Sequence, residues 1–122
     1  MGKLEINSIY FENILFQRVG EEDSNSIFDY KTTTELFTNK DDKKNYKITI
    51  TFVGLKKDVF NINIVLSAIF DLECLEEEKQ LYFNNVFSIL FPYIRSEVSL
   101  LTAQPNMRSI VLPVLNMKTE NK

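Results

Sequence analysis

Between residues 46 and 70 the chain alternates apolar and polar positions with few exceptions. Tyr46, Ile48, Ile50 and Phe52 take one parity and Lys47, Thr49 and Thr51 the other. After a short reversal over residues 54–58, Phe60, Ile62, Ile64, Leu66, Ala68 and Phe70 alternate with Asn61, Asn63 and Ser67. A period of two places every second side chain on the same side of a strand, so these runs predict an antiparallel hairpin with one buried face.

The flanking segments are less regular. Residues 6–19 mix Ile, Tyr, Phe, Leu and Val with polar neighbours, but the phase changes midway: Ile9 and Phe11 share one parity, Ile14 and Phe16 the other. A bulge, or a long strand that touches different surfaces at its two ends, is expected there. A polar connection over residues 21–26 follows, then a weaker, Thr- and aromatic-rich strand over residues 30–38 and a turn over residues 39–45. Beyond Leu72 the period changes. Residues 75–84 read as a short helical or irregular segment opened by Glu76, Glu77 and Glu78. Val86, Ile89, Leu90, Tyr93, Ile94, Glu97 and Leu101 then recur at helical spacing. Of these, Leu90, Tyr93, Ile94 and Leu101 are expected to pack on Phe60, Ile62, Ile64 and Leu66. Pro92 either kinks this helix or lies in its first turn. A last apolar stretch, residues 110–115, is interrupted by Pro113. Four strands followed by one main helix make an α+β chain, and the absence of repeats and linkers predicts a single domain over residues 1–122.

Composition narrows the functional classes. The hydrophobic fraction of 44% and charged fraction of 25% are ordinary globular usage. Ten Phe and five Tyr supply large buried area per residue in a chain without Trp. The net charge of -3 comes with no basic stripe, which argues against nucleic-acid binding. Cys74 is the only cysteine, so no internal disulfide forms, and a reducing, cytoplasmic setting is expected. No apolar run approaches the length of a membrane span, so no membrane insertion is expected.

The inventory also removes most catalytic chemistry. Without His there is no Ser-His-Asp triad, Cys-His pair or His-based zinc site, and three Gly at scattered positions form no phosphate loop. Asp71, Glu73, Glu76, Glu77 and Glu78 lack the alternating ligands and glycine turn of a calcium loop; acids at a helix N-terminus oppose its dipole. No catalytic residue, metal or cofactor is expected.

The run Ile89-Leu90-Phe91-Pro92-Tyr93-Ile94-Arg95, a following helical segment and Ile110-Val111-Leu112-Pro113-Val114-Leu115 resemble the SecB protein-export chaperone family. Weaker similarity touches Ile9-Tyr10 and Ala68-Ile69-Phe70. The resemblance implies a four-stranded antiparallel sheet with helices on one face and a homodimer or homotetramer, the latter a dimer of dimers. It further implies an ATP-independent holdase that binds unfolded or partly folded polypeptide through extended apolar segments. This chain departs from the family in two respects. It ends over Asn116 to Lys122, about where the family's second helix would begin, so one main helix on one sheet face is expected. The sheet face that meets the motor SecA in the family carries acids, where this chain has Asn13, Gln17 and Asn63. That substitution argues against classical delivery to SecA and for a dedicated partner, such as the antitoxin of a toxin–antitoxin system; a non-catalytic oligomeric adaptor on the same scaffold is the alternative. Lacking one wall of the family's groove, the chain is expected to expose Ile27, Phe28 and Tyr30 in the crossover, with Val111, Leu112 and Leu115 near the C-terminus, as client-binding residues.

Overall fold

The structure, a computed structural model, describes residues 2–113. Strands β1 (Lys3–Arg18), β2 (Phe28–Asn39), β3 (Asp42–Lys56) and β4 (Phe60–Glu73) are followed by a single 3-10 turn at Glu76–Glu78 and helix α1 (Lys79–Thr102). They form one antiparallel sheet in the order β1-β4-β3-β2. The alternating hairpin occupies the middle. Tyr46 pairs with Phe70, Ile48 with Ala68, Ile50 with Leu66 and Phe52 with Ile64, and all eight are buried on the face beneath the helix. The reversal is tighter than the composition of residues 54–58 suggests. Gly54 lies inside β3 between Tyr30 and Ile62, and the turn is made at Lys57-Asp58, with Asp58 at φ 64. Asp is among the few non-glycine residues that tolerate this left-handed conformation.

β1 resolves the phase change with two bulges rather than a change of surface. Register slips between Ile6 and Ser8 and again between Phe11 and Asn13, leaving Asn7 and Glu12 as the extra residues. Each extra residue flips the parity once. Leu4, Ile6, Ile9, Phe11, Ile14 and Phe16 therefore all stand opposite the buried row of β4, on one face. Ile9 and Ile14, of opposite parity in the sequence, share a side in the fold.

The core lies between that face and α1. Val86, Phe87, Leu90, Phe91, Ile94 and Val98 are buried from the helix, with the Phe87 and Phe91 rings stacked at 5.6 Å. The buried stripe is rotated from the one read in the sequence. Leu90 and Ile94 are in it and Leu101 flanks it, but Tyr93 is 48% exposed, and Phe87, Phe91 and Val98 take the centre. Pro92 sits in the helix interior rather than its first turn. It and Ser88, whose carbonyl loses its i+4 donor to the proline ring, both face outward, where water can satisfy that carbonyl.

α1 lies over β4 and β1. A helix about 10 Å across cannot cover four strands spaced about 4.8 Å apart. β2 is therefore left beyond the helix: on its helix-side face Tyr30 and Leu36 remain exposed and Phe28, Thr32 and Thr34 are half-buried. Truncating Leu90 to Ala is expected to cost about 2–5 kcal/mol in urea unfolding, as for other core leucines, whereas Tyr93→Ala should cost under about 1 kcal/mol, as for surface sites. Equal losses would mean that the helix faces the sheet with another stripe.

Candidate functional site

An aromatic shelf begins where β2 leaves the shelter of the helix. Phe16 of β1 packs on Phe60 of β4 at 5.4 Å between ring centroids, Phe60 on Phe28 of β2 at 5.7 Å, Phe28 on Tyr30 at 5.9 Å and Tyr30 on Phe52 at 5.3 Å. The rings cross the whole width of the sheet, from core to exposed rim. Gly54 makes room for the shelf: a Cβ there would come within 2.7 Å of the Phe28 ring. A glycine within a strand often marks such a close approach, and that signal was available in the sequence.

The connection from β1 to β2, residues 19–27, must cross the end of the sheet, since its two strands are the opposite edges. It is fastened to the β3–β4 turn. The Val19 and Gly20 amides donate to the Val59 carbonyl at 2.8 and 3.2 Å, and Ser26 Oγ donates to the Lys57 carbonyl at 2.9 Å. Lys56, buried between Phe60 and Phe28 in the strand register, sends Nζ to Glu22 Oε1. Glu22 Oε2 in turn accepts from the Arg108 amide at 3.2 Å. One carboxylate thus joins the crossover, the hairpin and the segment after the helix, and nothing in the local pattern of charges announced it.

The residues read as client-binding divide between rim and core. Phe28, half-buried, and Tyr30, 37% exposed, belong to the shelf, and Ile27, which precedes Phe28 in the chain, is 75% exposed. Val111 is 77% exposed. Leu112 is 2% exposed and belongs to the hydrophobic core, not to an open wall. The physical reason is the narrow helix: Leu112 fills the space beside it. Leu115 lies outside the described residues. Pro92, Arg95, Ser96, Ser99, Leu100, Val111 and Leu112 border an open groove of about 440 Å³ along the outer side of α1.

Asn13, Gln17 and Asn63 fall on the opposite face of the sheet, which no described residue covers with a helix. They gather at its β1/β4 side, with Asn13 Nδ2 donating to Asn63 Oδ1 at 3.5 Å and Leu15 exposed beside Asn63. Farther along this face the bulged Glu12 folds back over the sheet. It accepts from Ser67 Oγ and pairs with Lys47 at 3.3 Å, while Ser67 and Thr49 share a 2.8 Å hydrogen bond. Acids at the end of β4 and just beyond it are engaged by side chains: Asp71 accepts from Asn45 and Asn7, Glu73 pairs with Lys44 and Glu76 with Lys79. Among the described residues no cluster of three metal-ligating side chains is formed. No helix among them is long and apolar enough to cross a membrane.

The Lys56 ammonium holds the Glu22 carboxyl below its ordinary value of 4.5; burial opposes the shift and the Arg108 amide assists it. A carboxyl depressed in the folded state stabilises the fold above its unfolded value, and the contribution is lost as pH falls through the folded one. Glu22→Gln should therefore melt below the parent protein near neutrality, and the gap should close as pH drops below about 4.5. Thermal melts of both proteins across that range test this; equal melting near neutrality, or a gap unchanged below about pH 4.5, would show that the ionised carboxylate adds no stability.

No known protein-family model matches the chain. Among solved structures, the SecB-like chaperone Rv1957 of Mycobacterium tuberculosis, in complex with a ChAD peptide from the antitoxin HigA1, superposes with a TM-score of 0.73. It is 19% identical, and the match covers 92% of this chain and 87% of that one. A Streptococcus agalactiae protein of unknown function superposes at 0.56 with 12% identity, covering 93% and 98% of the two chains. The expected SecB-like fold, a four-stranded antiparallel sheet with one C-terminal helix among the described residues, is the fold observed. In sequence, the chain is 30% identical over 111 residues to the uncharacterized protein MJ0357 of Methanocaldococcus jannaschii, a match spanning 84% of this chain and 71% of that protein. The chain belongs to the family of that archaeal protein.

Proposed function

We propose that this chain is a non-catalytic chaperone of the holdase type, which binds extended apolar stretches of unfolded or partly folded polypeptide without ATP. The observation that carries the reading is the aromatic shelf on β2, open at Tyr30 on the helix side of a SecB-like sheet, with Ile27 exposed just before the strand. A client side chain that buries about 100 Å² of apolar surface there gains about 2.5 kcal/mol. Several such contacts retain a disordered chain with little demand on its sequence. The likeness to a chaperone that holds an antitoxin peptide supports a narrower form, in which one dedicated partner of that kind is the client; service to protein export is the broader form. The lone Cys74 fits work in a reducing, cytoplasmic setting.

Self-association belongs to the same proposal. Ile89, Tyr93 and Leu100 form an exposed apolar stripe along the outer side of α1, suited to a second copy. Light scattering at micromolar concentration should give a mass at least twice the 14.3 kDa of one chain; a single-chain mass would remove this part of the reading. The amide cluster of Asn13, Gln17 and Asn63 on the opposite face is a separate surface for a folded partner, in keeping with an adaptor role.

The shelf is tested by Ile27→Ser combined with Tyr30→Ser. Both side chains are exposed, so the variant should keep its melting temperature within a few degrees. Its affinity for reduced, carboxymethylated lactalbumin should fall about tenfold or more, as for the loss of apolar anchors elsewhere. Unchanged affinity in the folded variant would place the client elsewhere.

A further inference from the structure

The segment after α1 is held in an unusual way. It is neither helix nor strand, yet side chains of the body hold its backbone at Pro105, Arg108, Ile110 and Leu112. Arg18 Nη1 donates to the Pro105 carbonyl at 3.2 Å, and Glu22 accepts from the Arg108 amide. The Ile110 amide donates to Thr102 Oγ1 at 2.7 Å, Ser99 Oγ donates to the Ile110 carbonyl at 2.9 Å, and Arg95 Nε donates to the Leu112 carbonyl at 3.1 Å.

The spacing of these grips is commensurate with an extended chain. Arg95 and Ser99 are four residues apart, about 6.0 Å along a helix. Their acceptors on Leu112 and Ile110 are two residues apart, about 6.6 Å along an extended chain. Thr102 continues the same line on the helix, and the segment runs back antiparallel to it. Ile110 and Leu112 turn inward, Ile110 half-buried and Leu112 buried, while Val111 between them turns out. Each of these hydrogen bonds ends on strap backbone, so this line of side chains sets the path of the chain; one strap side chain adds to it, Ser109 Oγ donating to the Ser99 carbonyl at 3.1 Å. Side-chain selection rests on the apolar slot that Leu112 fills.

We infer that Thr102, Ser99 and Arg95 form a rail for extended polypeptide, and that the chain's own residues 107–112 are its resident occupant, displaced when a client binds. This deepens the polypeptide-binding reading and rests on it. The resident strap lowers apparent affinity: a site that is open a tenth of the time binds about tenfold more weakly than one always open. Loosening the strap without altering the rail should strengthen binding.

Leu112→Ser does this, since it removes the one fully buried side chain of the strap and leaves the helix untouched. We expect the folded variant to bind reduced, carboxymethylated lactalbumin about tenfold more tightly than the parent. In the parent, hydrogen exchange at the Ile110 amide should accelerate on adding that polypeptide, because its Thr102 acceptor changes partner. If the parent binds and Leu112→Ser binds equally or less well, the strap is structural and the inference fails while the holdase reading stands. If neither protein binds, both fail. Should Leu112→Ser not fold, exchange at Ile110 in the parent decides alone: acceleration upholds displacement, and unchanged protection on a binding-competent protein overturns it.

Discussion

One helix laid on four strands is the constraint from which the rest follows. The sheet is wider than the helix, and α1 sits over β4 and β1. The buried rows of β3 and β4 complete a dense core against Phe87, Leu90, Phe91 and Ile94. Among the described residues the helix-side face of β2 has less cover, with Tyr30 and Leu36 exposed. The aromatic run from Phe60 through Phe28 to Tyr30 reaches across to it, and the post-helix segment returns along α1 and buries Leu112. Apolar surface remains at the rim, at Tyr30 and Leu36 of β2 and at Val111 of the strap; in the proposed function this is the surface that an extended polypeptide contacts.

The connections are shaped by topology in the same way. With β1 and β2 at opposite edges, the crossover has to pass the β3–β4 turn, and Lys56 and Glu22 secure it there. Because Glu22 also accepts from Arg108, the crossover and the post-helix strap are held by one ion pair. Glu22 is thus a group that the crossover and the strap share.

The central hairpin and the helix were legible in the sequence because their periods are strong. Tyr46 to Phe70 alternates almost without fault, and Leu90 and Ile94 mark the core side of α1. Three features were not. Local parity in β1 separates Ile9 from Ile14, and only the bulges at Asn7 and Glu12, fixed by pairing with β4, bring them to one face. Tyr93 follows Leu90 closely enough to look interior, but the crossing of helix and sheet selects Phe87 and Phe91 in its place. Leu112 carries the same apolar signature as Val111; the two are told apart only by the long-range grip of Arg95 and Ser99. Of the residues expected in the crossover, only Ile27 lies in the connection, and Phe28 and Tyr30 open β2. The Lys56–Glu22 pair depends on a contact between distant segments that no local pattern encodes, whereas a glycine at position 54 was itself a local sign of close approach.

The account stands on the claim that an extended polypeptide lies along the uncovered side of β2. Backbone amide shifts of the isotopically labelled protein, followed by NMR while unlabelled reduced, carboxymethylated lactalbumin is added, test it most directly. The account predicts perturbations concentrated at Ile27, Phe28, Tyr30 and residues 107–112, with the amides of Ile50, Ile64 and Leu66 in the core unmoved. Perturbations confined to Asn13, Gln17 and Asn63 on the opposite face, or none at saturating polypeptide, would contradict it.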